Sequence, residues 1–292
     1  MTMSRPLTIA AAQTGAVSVC GEQQVEELAH RLLDEAGRKG VQLLSFCELF
    51  LGPFFANRLE EDFDRYFMFM DDPVLAGLRS KAKELGIALV LPVAERTHAG
   101  YYNSAQVIDE HGVVQGVYRK THMPAYFPNA SQGGTGSYEK FYFTPGEQLP
   151  VYTVAGTRIG VQICNDRLYP EASRVLAMKG AEIIVMPISF STYSDPVHRA
   201  SIWEVPLRAR AYENGVFVLA CNRVGTEGPR THLGRSMIVD PRGTMLAEAG
   251  TQDPELLVAT VDLNDVAAAR KKFPWWRDRR PNLYGVLVEE EP

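Results

Sequence analysis

The chain contains 292 residues, 46% of them hydrophobic, so it is long enough to bury one large core or two smaller ones. Thirty lysines and arginines against 35 aspartates and glutamates give a net charge of −5, with no basic block or stripe. Nucleic acid and anionic membrane are therefore excluded as expected partners.

The N-terminal half begins with an apolar run of six residues before Gln13, which is too short for a signal peptide or a membrane span. We therefore interpret it as a core strand and expect a cytoplasmic protein. The pattern predicts strands at 7–13, 41–46 and 87–94, helices at 22–39 and 73–85, a hairpin at 101–118 and a mobile flap within 122–145.

The second half continues the alternation of strands and helices. The pattern predicts strands at 151–154, 159–163, 182–187, 216–221 and 257–261, helices at 170–179, 199–213 and 265–272, and a hairpin at 236–247. We find no internal repeat and no linker. Alternating elements interrupted by two hairpins predict a layered α/β sandwich that forms one domain over residues 1–292.

The cysteines indicate neither a zinc site nor a disulfide framework. Cys20, Cys47, Cys164 and Cys221 are separated by 27, 117 and 57 residues, and no CxxC pair occurs. We therefore expect reduced thiols. No HxxxH or equivalent cluster occurs either, so we expect no bound metal.

Cys164 lies where the apolar strand 159–163 meets a turn, and Pro170 then suits the first turn of a helix. The positive end of a helix lowers the pKa of a cysteine, and free backbone amides there bind a developing oxyanion. This position therefore favours a nucleophilic thiol. The alternative is a small buried residue that ends a core strand.

Glu48 and Lys120 also follow apolar strands, and reactive groups gather at strand ends in α/β sheets. A carboxylate, an ammonium and a thiol suffice to hydrolyse an amide: Glu48 would act as the general base, while Lys120 and the backbone amide of Asn165 would hold the oxyanion. Two alternatives stay open, namely charged side chains that face solvent and a Cys/His pair that uses His122.

Seven segments in order resemble the nitrilase superfamily of carbon–nitrogen hydrolases along nearly the whole chain. They are IAAAQ, SFCELF around Glu48, VYRKTHMP around Lys120, EKFYFTPGE, GVQICNDRLYPEASRVLAMKGAEII around Cys164, LACNRVG and RRPNLYGVL. The resemblance implies a four-layer α-β-β-α sandwich, a catalytic triad of Glu48, Lys120 and Cys164, and no cofactor. It also implies that Glu139 is a second active-site carboxylate, and that residues 273–292 form a tail at the interface of a homodimer or larger homo-oligomer.

Within the superfamily, the chain is most similar to the N-carbamoyl-D-amino-acid amidohydrolase, N-carbamoylputrescine amidase and β-ureidopropionase branches, which hydrolyse a terminal ureido group to amine, carbon dioxide and ammonia. Nitrilases usually carry Trp-Glu where this chain has Asn165 and Asp166, so nitriles are disfavoured. Arg167 matches an arginine that binds the substrate carboxylate in the amino-acid-type enzymes, a task that suits a guanidinium. Its alternative is a salt bridge to Asp166 or Glu171.

The substrate stays open at this stage, because Leu168 and Ser137 replace a second arginine and a histidine of the D-amino-acid enzymes. A different or smaller acid, or a neutral amide, is compatible with those departures. A wall of Leu168, Phe54, Phe55 and Tyr193 would favour the neutral amide, and a charged clamp around Arg167 would favour an acid. A catalytically silent assembly subunit is the rival from another class, although all three triad residues are present.

Overall fold

Two six-stranded sheets and a separate two-stranded hairpin carry the fold in the computed structural model, which describes residues 3–17, 22–124, 137–192 and 195–289. In chain order the strands are β1 (Pro6–Gln13), β2 (Leu43–Phe46), β3 (Ala88–Thr97), β4 (Gly100–Ile108), β5 (Val114–Arg119), β6 (Val151–Val154), β7 (Thr157–Val161), β8 (Ile183–Pro187), β9 (Phe217–Cys221), β10 (Val224–Glu227), β11 (Arg230–Leu233), β12 (Met237–Val239), β13 (Met245–Glu248) and β14 (Glu255–Asp262).

Both sheets are mixed and share one pairing pattern. The first sheet has the order β14-β1-β2-β3-β4-β5, and β1, β2 and β3 run parallel to one another. The second has the order β6-β7-β8-β9-β12-β13, with β7, β8 and β9 parallel. Read in these orders, the sheets show the same succession of parallel and antiparallel pairs, although the sequence carries no recognisable repeat.

Seven α-helices occur within the described residues. They are α1 (Glu22–Arg38), α2 (Pro73–Leu85), α3 (Glu139–Tyr142), α4 (Pro170–Met178), α5 (Pro196–Ile202), α6 (Glu204–Asn214) and α7 (Asn264–Lys272). The pair α1 and α2 packs on the first sheet, the pair α4 and α6 packs beside the second, and β1 and β2 contact β8 and β9 between the sheets. The predicted four-layer α-β-β-α sandwich is confirmed.

Small residues let the sheets approach closely at the centre. Ala10, Ala11 and Ala12 in β1 are fully buried, and the Cys221 thiol in β9 donates to the Ala12 carbonyl oxygen at 3.1 Å. Such close-packed centres tolerate little change in volume, and they fix how residues at the strand ends of one sheet face those of the other.

The helix predicted at 199–213 is two helices, and they meet at Trp203. Pro206 has no backbone N–H to donate to the carbonyl of Ile202, and its ring would clash with that carbonyl in a continuous helix. The break buries the Trp203 indole, whose Nε1 donates to the Arg235 carbonyl oxygen at 2.9 Å. The first helix, α5, is thereby free to approach the strand ends.

Residues 122–145 contain the predicted flap. Half of the predicted flap, residues 125–136, lies outside the described residues, and α3 forms within the remainder. Among the helices that the structure describes, none combines the length and apolar character needed to cross a membrane.

Candidate active site

Cys164 begins a five-residue 3₁₀ turn, Cys164–Leu168, between β7 and α4. Its φ of +46° lies in the left-handed region, where a non-glycine residue is strained and persists only because its surroundings hold it. The turn places the thiol six positions before α4, which begins at Pro170 as the sequence predicts.

Asp166 holds this turn against the end of β5. Its Oδ2 accepts hydrogen bonds from the Ile163 N–H at 2.8 Å and the Tyr118 hydroxyl at 2.7 Å, and its Oδ1 accepts from the His122 N–H at 2.9 Å. The side chain is fully buried. Asp166 therefore joins the turn that carries Cys164 to the strand end that carries Lys120. The sequence indicated only that Asp166 is a turn residue and did not predict this role.

Glu48, Lys120 and Glu139 form one buried ion cluster beside the turn. The Lys120 Nζ donates to the Glu48 Oε1 at 2.8 Å and to the Glu139 Oε2 at 2.5 Å, and all three side chains are almost inaccessible to solvent. Asn103 donates to the same Glu48 Oε1 at 2.8 Å. The other oxygen, Glu48 Oε2, is buried and has no hydrogen-bond partner among the described residues.

The protonation of the cluster follows from burial and mutual charge. Burial raises the pKa of Glu139 to about 7, and the Lys120 ammonium only partly opposes that rise. For Lys120, burial lowers the pKa, but the carboxylates of Glu139 and Glu48 outweigh it and leave the pKa raised. The lysine is therefore a permanent ammonium at neutral pH.

The Cys164 thiol is neutral in this environment. Burial raises its pKa to about 11, and the neighbouring Glu48 carboxylate adds to the rise while Lys120 and Arg167 oppose it. The prediction that a helix end lowers this pKa is wrong, because desolvation and the Glu48 carboxylate together raise it. A base must therefore remove the proton when the thiol reacts, and Glu48 Oε2 is a nearby acceptor without a partner.

A cavity of about 210 Å³ opens at the thiol. Cys164, Glu139, Asn165, Arg167 and Phe54 line it, so the structure brings five of the predicted site residues together. Glu48 and Lys120 are not among its lining residues: Lys120 donates to the lining residue Glu139, and Glu48 accepts from Lys120. Tyr193 lies outside the described residues.

The cavity wall differs in two respects from the wall that the sequence suggested. Leu168 does line it, but Phe55 stacks on Tyr66 with ring centroids 4.5 Å apart in a separate aromatic cluster. Arg199, Arg230, Ser189, Phe190, Ser191 and Ile202 also line it, and the sequence analysis assigned none of these six residues to the site. They come from segments after β8 and from β11, which no local motif connects to Cys164.

Arg167 contacts Cys164, whereas His122 contacts Asp166. The Arg167 Nη1 donates to the Cys164 carbonyl oxygen at 2.6 Å and lies 3.7 Å from the Cys164 Sγ, and the alternative salt bridge to Asp166 or Glu171 does not form. His122 pairs with Asp166 at 2.8 Å and stacks on Tyr169, and it does not line the cavity. The geometry therefore gives no support to a Cys/His pair.

Comparison with known proteins agrees with this arrangement. A family model described as carbon–nitrogen hydrolase matches residues 8–271, which include both sheets and every predicted site residue. The chain belongs to the carbon–nitrogen hydrolase family. It is an amidohydrolase, as the sequence predicts.

Relatives within the carbon–nitrogen hydrolase family are similar over most of their length. An N-carbamoylputrescine amidase from Arabidopsis thaliana is 36% identical over 89% of this chain and 88% of that protein. A citrullinase from Francisella tularensis is 32% identical over 88% of this chain and 90% of that protein. Among solved structures, a carbon–nitrogen hydrolase from Helicobacter pylori superposes with a TM-score of 0.88 and 29% identity over 98% of this chain and 99% of that one.

Proposed function

We propose that the chain hydrolyses the terminal ureido C–N bond of an N-carbamoyl amino acid, with Cys164 as the nucleophile. The observation that carries the proposal is the unpartnered Glu48 Oε2 in a buried cluster with Lys120 and Glu139, beside a neutral thiol on a small cavity. A base without a partner, next to an acid that must lose a proton, supports general-base activation.

The proposed first half-reaction forms a covalent intermediate. Glu48 takes the thiol proton, and the sulfur bonds to the ureido carbonyl carbon. The Lys120 ammonium and the Asn165 N–H hold the resulting oxyanion. When the tetrahedral intermediate collapses, the C–N bond breaks, and ammonia leaves with the proton that Glu48 returns.

The proposed second half-reaction releases the acid. Glu48 takes a proton from water, the hydroxide oxygen bonds to the thioester carbon, and the carbon–sulfur bond breaks with return of the proton to the thiol. The product is a carbamate, which decomposes to the amine and carbon dioxide. Glu139 does not exchange protons in this scheme: it positions the Lys120 ammonium that both tetrahedral intermediates need.

The amino-acid form of the substrate is supported by Arg167. Its guanidinium lies on the cavity beside the thiol and makes no ion pair within the described residues. A carboxylate suits that position, because guanidinium binds planar anions through parallel hydrogen bonds. Phe54 and Leu168 form an apolar part of the cavity wall. This apolar part supports a neutral amide as the second candidate substrate.

Steady-state ammonia release tests the proposal on a panel of N-carbamoyl amino acids, N-carbamoyl amines and simple aliphatic and aromatic amides. We expect the highest kcat/KM for an N-carbamoyl amino acid, and no turnover by Cys164→Ala. Cys47→Ala is the matched control, since Cys47 is a buried free cysteine that does not line the cavity. Turnover by Cys164→Ala, or a preference for simple amides, would overturn it.

The same proposal includes a homo-oligomer. Beyond α7 the described tail forms only short 3₁₀ turns, Pro281–Leu283 and Gly285–Val288, and its apolar side chains are exposed: Val286 by 70% and Val288 by 87%. A run of exposed apolar residues is typical of an interaction surface. The tail would pack against a second copy of the chain.

A further inference from the structure

Three guanidinium groups line the cavity, although the sequence pointed to only one of them. Arg167 lies in the turn after Cys164, Arg199 lies in α5, and Arg230 begins β11. The cluster arises where the break at Trp203 lets α5 approach the end of β8. Three separate elements thus deliver positive charge to one small space.

Arg167 and Arg199 both lie against the ring of Phe190. The guanidinium carbons lie 5.1 Å and 4.2 Å from the centroid of that ring, for Arg167 and Arg199 respectively. Within the described residues neither group has a carboxylate at ion-pair distance, and segments 125–136 and 193–194 contain no aspartate or glutamate at all. Burial and the charge of Arg167 together lower the pKa of Arg199. These two like charges therefore lie against one ring without an anion of the described residues between them.

Arg199 and Arg230 converge on a single serine. The Arg199 Nε donates to the Ser191 carbonyl oxygen at 2.5 Å, and the Arg230 Nη1 donates to the Ser191 Oγ at 3.3 Å. Ser191 is buried. The two guanidinium groups thus occupy one part of the wall, whereas Arg167 is fixed at the thiol by its bond to the Cys164 carbonyl oxygen.

We propose that Arg199 and Arg230 form a second anion subsite, so that the preferred substrate carries two carboxylates. This inference rests on the proposed function and specifies its substrate class as an N-carbamoyl dicarboxylic amino acid. One carboxylate binds Arg167 beside the reacting ureido group, and the other binds Arg199 and Arg230.

Charge and size both support a diacid. One carboxylate neutralises only one of Arg167 and Arg199, the two guanidinium groups here that have no ion pair within the described residues, whereas a substrate with an ammonium group would add a further cation. The cavity, at about 210 Å³, is below the roughly 300–1,000 Å³ of typical drug-sized pockets, which suits a molecule of amino-acid size.

The substrate comparison tests the inference on the unaltered protein. kcat/KM is measured for both enantiomers of N-carbamoylaspartate and N-carbamoylglutamate, for N-carbamoylalanine and for N-carbamoylputrescine. We expect the best diacid to exceed N-carbamoylalanine by roughly tenfold or more, as expected for one added hydrogen bond to a charged group. If kcat/KM for the monoacid or for the amine equals that for the diacids, the second subsite is overturned, but the proposed carbamoyl hydrolase function is not. No turnover of any carbamoyl compound would instead overturn the proposed function.

Substitution of Arg199 gives the second test. In Arg199→Gln, the ratio of kcat/KM for the best diacid to that for N-carbamoylalanine should fall at least tenfold, and in Arg199→Lys it should fall less. Val197→Gln is the matched control, because Val197 is 82% exposed on the same helix and does not line the cavity. An unchanged ratio in a folded Arg199→Gln protein would overturn the inference.

A binding measurement removes turnover from the question. Glutarate and butyrate differ by one carboxylate, and each is titrated into the Cys164→Ala protein while the melting temperature is followed. Glutarate should raise the melting temperature more than butyrate, and Arg199→Gln should abolish that difference. Equal shifts from both acids would count against two anion contacts.

Discussion

At the scale of single residues, the two carboxylates of the buried cluster, Glu48 and Glu139, differ in their hydrogen bonds. Glu139 Oε2 and Glu48 Oε1 both accept from the Lys120 ammonium, yet only Glu48 has a buried oxygen without a partner among the described residues. Ser137 donates to the other Glu139 oxygen at 3.2 Å. Glu139 is thus held on both oxygens, whereas Glu48 keeps one acceptor for a proton. In the proposed reaction this asymmetry decides which carboxylate is the base.

The neutral thiol leads to a prediction on alkylation. Because the pKa of Cys164 is raised to about 11, the thiolate fraction at pH 7 is far smaller than in a cysteine with an ordinary pKa of roughly 8.5. We expect Cys164 to be alkylated by iodoacetate more slowly than N-acetylcysteine at pH 7, at a rate that keeps rising up to pH 9.5. The measurement is mass spectrometry of the peptide that contains Cys164.

N-acetylcysteine in the same tube is the control for reagent decay and pH. A Cys164 rate that levels off with a midpoint below pH 8 would contradict the prediction, since it would indicate a thiolate–ammonium pair with Lys120. The sign is fixed by the structure: burial and Glu48 both favour the protonated thiol, and Lys120 and Arg167 do not overcome them.

At the scale of elements, the 3₁₀ turn Cys164–Leu168 matters more than the helix behind it. Asp166 accepts hydrogen bonds from the N–H of Ile163, the residue before the left-handed Cys164, and from the Tyr118 hydroxyl at the end of β5. A displacement of the turn would move the sulfur relative to Glu48 and Lys120, and misplacement by about 1 Å can cost roughly 100-fold in rate. Asp166 is therefore a positioning residue for the proposed reaction.

Asp166→Asn tests this positioning role. The change turns one acceptor oxygen into an NH₂ group that faces N–H or O–H donors, so we expect a loss of about 1–3 kcal/mol in the free energy of unfolding. We also expect kcat on the best N-carbamoyl substrate to fall at least tenfold while KM changes less. Urea unfolding and steady-state kinetics measure the two effects.

Asp240→Asn provides the matched control. Asp240 is also buried, and its Oδ1 accepts from the Arg242 and Thr244 N–H groups at 2.8 Å in the turn between β12 and β13. That variant should lose comparable stability and keep its kcat. Wild-type kcat in Asp166→Asn would show that the turn does not depend on Asp166 for its position.

Local sequence patterns predicted the strands, the helices and the candidate reactive residues, because the ends of strands and the starts of helices have recognisable short sequence patterns. Glu48, Lys120 and Cys164 each follow a strand, and the structure brings Glu48 and Lys120 into contact from two strands of one sheet, while Cys164 follows a strand of the other sheet. The environment of Cys164 was not predictable in the same way, since its pKa depends on Glu48, 116 positions earlier in the chain. Arg199 was missed because no local motif connects α5 with the turn at Cys164, and only the fold places both on one cavity.

At the scale of the whole molecule, the site is assembled from both sheets. Glu48 and Lys120 follow β2 and β5 of the first sheet, and Cys164 follows β7 of the second. The Glu48 N–H donates to the Ile188 carbonyl oxygen at 3.4 Å, which joins the ends of the two sheets. The packing of sheet against sheet therefore sets the distance between the proposed base, Glu48, and the proposed nucleophile, Cys164.

The exposed tail gives the last prediction, which concerns assembly. Val286→Asp combined with Val288→Asp places two carboxylates on the surface that would pack against a second copy, and burying an unpaired charge is strongly unfavourable. We expect the double variant to sediment as a monomer at micromolar concentration, where the parent sediments as a dimer or larger species. The paired change Val113→Asp and Val114→Asp adds the same charge at another exposed site, 54% and 41% exposed respectively, and should leave the sedimentation coefficient unaltered. A monomeric parent, or an oligomeric tail variant, would show that residues 273–292 do not form the interface.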